Sequence, residues 1–285
     1  MRVLVLMEQG DASRQALTLA RRFGEPRSAR MDAVQPYAPD ALAAALAQAA
    51  DELEAAAVFA AGTERGNDVM ARLAARSGLP LAANCIDATP GVPVAVTRLR
   101  WGGSLLEEAR LHSPRPLITV APHSVPADTG PAPAEVGLKA SGDSELVVRV
   151  VDHVAPRGGG VSLAEAKVIV SGGRGVGSKE GFAMIEELAS LLGAAVGCSR
   201  AVTSAGWRPH TDQVGQTGTK VAPEVYIACG ISGATQHMAG LKGAKRILAI
   251  NSDPQAPLML NADYTVTGDL KEIVPAISAE IRKRR

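Results

Sequence analysis

Aromatic side chains are scarce in this 285-residue chain: two Trp, three Tyr and three Phe amount to 3%, within a hydrophobic total of 46%. Its cores must therefore be built from Ala, Val, Leu and Ile. A charge excess is missing too, since 30 Lys and Arg face 29 Asp and Glu for a net charge of +1. A generic nucleic-acid binder carries a basic surplus, so none is expected here. No apolar run reaches the ~18 residues of a membrane span. The opening MRVLVLMEQGD has too short an apolar stretch for a secretory leader and is too acidic for an organellar one. Cys85, Cys198 and Cys229 are odd in number and lack metal-ligand spacing. These absences predict a cytoplasmic protein with no metal site. Lysine is missing before Lys139, a compositional shift that falls near a plausible domain junction.

What is present reads as two α/β domains, each a largely parallel sheet flanked by helices. In the first, an apolar run Val3–Met7 precedes a helical pattern from Ala12 to Arg22, and Asp40 is a candidate N-cap for the Ala-rich stretch Ala41–Ala50. A buried strand Ala56–Ala61 ends in Gly62-Thr63, and a helix follows to Arg76. Beyond Val92 come short strand-like runs, Val94–Arg100, Leu117–Val120 and Glu145–Val151, with an irregular segment Pro126–Gly142 between the last two. Arg157-Gly158-Gly159-Gly160 is the strongest linker signal, so the domains are predicted at residues 1–156 and 157–285. In the second domain, Lys167–Val170, Ala194–Gly197, Glu224–Ala228 and Arg246–Ile250 read as buried strands. Helices are predicted over Lys179–Leu192 and Leu270–Arg285, and the fold class is doubly wound.

The glycine-rich loop Ser171–Ser178 (SGGRGVGS) follows a strand and precedes a helix, where exposed backbone N–H groups can hold phosphate. It misses both dinucleotide and P-loop fingerprints. Ser178 stands where the third glycine of G-x-G-x-x-G belongs, and it also intervenes before Lys179. Further polar loops at strand ends are Ser199-Arg200, Gly215–Gly218 and Gly230–His237. On spacing alone, Asn251 reads as a turn former, Asp269 as an N-cap and His237 as a satisfied core histidine. No paired carboxylates, nucleophile elbow or Ser/His/Asp set is evident. The polar residues of these loops (Arg174, Ser199, Arg200, Gln216, Thr217, Ser232, His237) are mostly donors. Such a set suits holding an electron-rich or anionic cofactor better than moving protons. An enzyme using NAD or thiamine on a related α/β fold is the alternative.

The strings Ser171–Gly175 (SGGRG), Ala195–Ala201 (AVGCSRA), Val214–Gly218 (VGQTG), Tyr226–Gly240 (YIACGISGATQHMAG) and Ala249–Pro254 (AINSDP) are recognisable together. From Val168 to Asp269 the chain resembles the FAD-binding domain of the α subunit of electron transfer flavoproteins. Thr235 departs from the pattern, which usually has an aliphatic residue there.

The resemblance implies an electron carrier with no catalytic residues and no substrate turnover of its own. It takes electrons from acyl-CoA dehydrogenases and related flavoenzymes of fatty acid β-oxidation and passes them to a quinone oxidoreductase. The implied assembly is a heterodimer with a β subunit that carries AMP or a second FAD. One FAD is implied in the C-terminal domain, which is expected to swing on its linker. Arg174 is implied near the pyrophosphate, Ser199 and Arg200 beside the cofactor, and Val214, Gly215, Gln216 and Thr217 along the isoalloxazine. Ser232, Gly233, Ala234, Thr235, Gln236 and His237 are implied at the pyrimidine edge and phosphates, and Asn251, Asp269 and Leu270 at the adenosine end. The resemblance thus overrides the bland readings of Asn251 and Asp269.

Overall fold

Period-2 burial fixes each sheet. In strand β1 (Arg2–Met7), Val3 and Val5 enter the core on one face and Leu4 and Leu6 the core on the other, none more than 1% exposed. A strand buried on both faces belongs inside a parallel sheet covered by helices. The computed structural model describes residues 1–103, 105–139, 148–152 and 162–284, and it divides into two compact units, Met1–Ala155 and Pro156–Arg285. The predicted junction, with Arg157–Gly160, lies outside the described residues.

In unit 1, β1 is followed by α1 (Asp11–Ala20), β2 (Glu25–Arg30), α2 (Pro39–Glu52), β3 (Val58–Ala61) and α3 (Glu64–Ser77). Strands β4 (Leu81–Thr89), β5 (Val94–Arg100), β6 (Leu105–Leu111), β7 (Leu117–Val120) and the short β8 (Ala134–Glu135) complete it. The sheet order is β6-β5-β4-β7-β3-β1-β2-β8, parallel except where β4, β5 and β6 run antiparallel. Thr63 caps α3 by accepting from Gly66 N–H at 3.0 Å, and Gly78 ends it with φ 67°.

Two expectations need correction in unit 1. Asp40 does not cap α2, which begins at Pro39 behind Ala38; its carboxylate instead accepts from Arg72 at 2.7 Å. The ion pair satisfies Asp40, and Pro at the first helical position leaves one fewer N–H to cap. Of the expected strand Glu145–Val151, residues 145–147 lie outside the described residues, and the described residues 148–151 form no strand.

Unit 2 holds β9 (Val168–Gly172), α4 (Phe182–Leu192), β10 (Ala195–Cys198), α5 (Arg200–Ser204) and β11 (Val225–Cys229). The short helices α6 (Thr235–Met238) and α7 (Pro257–Asn261) flank β12 (Ile247–Asn251), and β13 (Tyr264–Thr267) leads into α8 (Leu270–Arg284). All neighbouring strands are parallel, in the order β10-β9-β11-β12-β13. One face buries Val170, Ile227, Cys229 and Ile250 under α4, α5 and α8. The opposite face buries Ile169, Tyr226, Ala228 and Ala249 under Val214, Leu241 and α7. Helices therefore cover both faces, as a doubly wound domain requires. Helix α4 begins three residues later than its periodicity predicts, because Ser178 Oγ accepts from Gly181 N–H at 3.2 Å and holds the preceding residues in a turn.

In this order the chain leaves β9 for β10 on one side and returns to β11 on the other, making the β9/β11 boundary the topological switch point. Glycines bring the two loops into backbone contact there. Gly173 N–H donates to the Cys229 carbonyl at 2.8 Å and Gly175 N–H to the Gly230 carbonyl at 3.0 Å. A Cβ on Gly173 would lie 2.1 Å from the Gly230 oxygen and 2.7 Å from Ile231 Cα, all of it backbone that cannot rotate away. Gly173→Ala is therefore expected to destabilise unit 2 by about 1–3 kcal/mol, the range for overpacking. It should appear as a lower urea midpoint at unchanged slope. Gly137→Ala, where nothing lies within 4 Å of the added carbon, is the neutral control.

Candidate functional site

The carboxyl ends of β9 to β13 collect the predicted site residues of unit 2 on one edge of its sheet. Gly230 sits at φ 64°, and a Cβ there would meet Leu270 Cδ2 at 2.6 Å, so the start of α8 closes directly over the β11 loop. Beside it opens a cavity of about 260 Å³ lined by Gly175, Gly230, Asn251, Ser252, Gly268, Asp269, Leu270 and Lys271. Asn251, Asp269 and Leu270 are thus brought together on one wall. Both polar ones also keep the roles that spacing gives them. Asn251 donates to the Ile231 carbonyl at 3.0 Å and accepts from Asp253 N–H at 3.1 Å, and Asp269 accepts from Lys271 N–H at 2.8 Å. Ser252 and Lys271 escape sequence reasoning, because each merely follows a residue with a clearer signal.

The glycine-rich loop behaves differently from the expectation of free N–H groups. The N–H groups of Gly173, Gly175, Val176 and Gly177 are all spent on carbonyls within unit 2. The loop's glycines serve close backbone approach, and its contribution outward is the exposed guanidinium of Arg174.

Ser199 N–H donates to the Gly172 carbonyl at 3.0 Å, fixing the start of α5 against the glycine-rich loop. Ser199 is half-buried and Arg200 exposed. Among the described residues, neither Arg174 nor Arg200 makes an ion pair or side-chain hydrogen bond, whereas Arg208, Arg246, Arg282 and Arg284 of the same unit are all paired with carboxylates. Two uncompensated cations on one sheet edge attract an anion.

A buried glutamine, missed by the sequence reading because it precedes the recognisable string, ties this edge together. Gln213 accepts from Thr203 Oγ1 of α5 at 2.6 Å and donates to Thr217 Oγ1 at 2.9 Å. Thr217 therefore spends a lone pair inward and keeps its hydroxyl proton for an outside acceptor. Val214 and Gly215 are buried, and Gln216 N–H donates to the Gln236 carbonyl at 2.7 Å, so the loop carrying Thr217 lies against α6. In the turn before α6, Gly233 (φ 86°) packs on Leu258, while Ser232, Ala234, Thr235 and Gln236 are exposed.

His237 is only 7% exposed. Its Nε2 lies 3.1 Å from the Tyr226 hydroxyl, and its Nδ1 is buried with no partner. Burial pushes its pKa down to about 4, so it is neutral at pH 7.

Taken together, this is a parallel α/β domain that offers cations, hydroxyls and one ring nitrogen without an internal partner at its switch-point edge, the class of protein whose sheet edge is furnished to hold an anionic or electron-rich ligand. Residues 162–242 match the electron transfer flavoprotein FAD-binding domain, and residues 27–149 match the electron transfer flavoprotein domain. The electron transfer flavoprotein subunit alpha of Mycobacterium leprae is 40% identical over 268 residues, covering 90% of this chain and 81% of that one. The Bacillus subtilis subunit alpha is 41% identical over 224 residues, covering 78% and 69%. That of Mycobacterium tuberculosis H37Rv is 36% identical over 316 residues, covering 99% of both. The chain belongs to the electron transfer flavoprotein α-subunit family, and its cofactor is FAD.

The depressed His237 pKa makes a signed prediction. Its folded value of about 4 lies below the ~6.5 of an unfolded histidine, so unfolding takes up a proton between those values. His237's contribution is complete above pH 6.5 and is lost as pH falls toward 4, by at most about 3 kcal/mol. Urea unfolding at pH 7.5 and 4.5 should show this loss in the wild type and a smaller one in His237→Asn.

Proposed function

We propose that this chain is the FAD-binding half of a two-subunit electron shuttle, residues 157–285 holding the cofactor and residues 1–156 pairing with a β subunit. The observation that carries the reading is the donor set of the unit 2 edge: two unpaired guanidiniums, a Thr217 hydroxyl with its proton to give, and a buried ring nitrogen lacking a partner. These groups fit a large anion with an electron-rich ring. FAD, when bound, supplies one- and two-electron chemistry.

The remaining roles belong to the chain. Arg174 would hold the pyrophosphate, and Asn251, Asp269 and Leu270 would hold the adenosine end beside the 260 Å³ cavity. Val214, Gly215, Gln216 and Thr217 would lie along the ring system, with the Thr217 hydroxyl donating to ring N5. Ser232 to His237 would cover the pyrimidine edge and phosphates, with His237 donating to the N1/C2=O region. Ser199 and Arg200 would stand beside the ring. A permanent cation there stabilises reduced, more negative flavin and raises its potential.

The chain's electron donors would be acyl-CoA dehydrogenases and related flavoenzymes in the cytoplasm, and its acceptor a quinone oxidoreductase. The β subunit would contribute AMP or a second FAD.

The reading is tested by co-purifying the chain with the adjacent β-subunit-like protein. Flavin absorbance, one FAD per α chain, and loss of that colour in Arg174→Ala/Asp269→Ala would support it; a heterodimer that stays colourless with added FAD would sink it. In the coloured complex, Arg200→Ala should lower the flavin midpoint potential by the equivalent of about 1 kcal/mol, the Coulomb energy of one charge at 4 Å in water. A redox titration with unchanged potential would refute that role.

A further inference from the structure

Tyr226 lies wholly buried on β11, where burial raises its phenol far above the ordinary tyrosine range and keeps it protonated. Its hydroxyl and His237 Nε2 are 3.1 Å apart, with the ring planes at 59°. Between a phenol and an imidazole, the phenol is the stronger acid and the ring nitrogen the stronger base, so the hydroxyl donates and Nε2 accepts. A neutral imidazole carries a single ring proton, and the bond made at one nitrogen decides which nitrogen bears it. With Nε2 accepting, the proton is on Nδ1. That nitrogen is buried and makes no hydrogen bond of ordinary geometry among the described residues, although the Val214 backbone lies close enough to the ring to favour its protonated form. A buried donor without an acceptor is costly unless a ligand completes it.

The surroundings agree with an outside acceptor. His237 stands in α6 next to exposed Ala234, Thr235 and Gln236, and the α6 backbone meets the loop that carries Thr217 through the Gln216–Gln236 bond of 2.7 Å. Tyr226 itself cannot touch a ligand, because it is 0% exposed beneath these loops.

We propose that Tyr226 is a positioning residue, whose hydroxyl fixes His237 in the Nδ1–H tautomer and so presents a hydrogen-bond donor to the electron-rich carbonyl edge of the flavin. The inference rests on the flavin reading above only for the identity of the acceptor. The tautomer itself is a property of this chain. Because a phenol fixes the tautomer, the donor is a neutral one, which leaves Arg200 as the charged group at the ring.

The full-length chain labelled with ¹⁵N-histidine, without cofactor at pH 7.5, tests the tautomer directly, His237 being assigned by its loss in His237→Gln. The expected spectrum shows His237 protonated at Nδ1 and bare at Nε2. In Tyr226→Phe the proton should shift to Nε2 or divide between the two nitrogens. In the FAD-loaded complex, Tyr226→Phe should retain cofactor content and Tm while moving the flavin midpoint potential to a more negative value. A wild-type His237 protonated at Nε2 overturns the proposal, and so does a Tyr226→Phe protein with unchanged tautomer and potential. If Tyr226→Phe does not fold, the wild-type spectrum decides alone. A chain that takes up no FAD yet shows a Tyr226-dependent Nδ1 proton would overturn the flavin reading and the acceptor named here, and keep the positioning.

Discussion

Gly173, Gly175 and Gly230 meet backbone to backbone where the strand order reverses, and the shape of the unit 2 site depends on that contact. Open parallel sheets usually leave a crevice at such a point, between loops that diverge to opposite faces. Here the crevice is filled at its base by carbonyls and N–H groups bonding across it. With Leu270 Cδ2 only 2.6 Å from where a Gly230 Cβ would stand, the first turn of α8 is drawn over the junction. The open space is thereby displaced along the edge, to the cavity between Gly175, Asn251 and Asp269. The same contact leaves Arg174 as the loop's outward-facing polar group, since no side chain can stand between Gly173 and Gly230.

Around this frame the polar groups follow one chemical logic. Electron transfer needs a cofactor held firmly while its charge changes, without protons being exchanged in the wrong place. Neutral donors and fixed cations meet that need, because they gain interaction as negative charge accumulates and do not titrate near pH 7. His237 belongs to this set only because burial keeps it neutral; a solvent-exposed histidine would be partly protonated and its donor strength would vary with pH. Gln213 extends the same logic across the edge of unit 2. Being 2% exposed and bonded at both ends, it couples the helix that carries Arg200 to the hydroxyl of Thr217.

Much of this architecture was legible in the amino acids, for stated reasons. Strands buried on both faces, such as Val168–Gly172 and Val225–Cys229, announce themselves as apolar runs bounded by glycine. Strand β2, with the sequence EPRSAR, does not: it lies near the sheet margin, is half wetted, and is specified by its register with β1 rather than by its own composition. Strand β13 (YTVT), exposed along its length, hides for the same reason. In the proposed site, polar loop residues are legible from their types and order, whereas residues whose role is purely geometric are not, even where, like Tyr226, they stand inside a recognisable string. Gln213 acts through hydrogen bonds to residues 10 and 4 positions away and Tyr226 through one to a residue 11 positions away, and no periodicity records such bonds. The glycine-rich loop was located correctly, but its N–H groups were expected to face a ligand. Which partner a backbone donor takes is settled by the β11 loop approaching from some 55 residues downstream, and that approach is a tertiary fact.

The two units pose the same topological problem and resolve it differently. In unit 1 the chain also reverses beside its first strand, between β1 and β3. Its carboxyl edge carries Glu8, Thr63, Asn67, Asn84 and Thr119, a set at least as polar as that of unit 2. There, however, the side chains bond one another. Thr63 donates to Glu8 while capping α3, Asn67 donates to the Gly62 carbonyl and to Asn84, and Thr119 donates to Asn67 at 2.7 Å. A polar group already bonded inside the protein must surrender that bond to meet a ligand, and the net gain is close to nothing. An orphaned buried nitrogen surrenders nothing, and two unpaired guanidiniums surrender only water. The difference between an edge that stabilises its own fold and one that holds a cofactor thus lies less in residue type than in whether the hydrogen bonds close upon themselves. By that measure the edge of unit 2 keeps groups available to a ligand, whereas the polar edge of unit 1 closes upon itself.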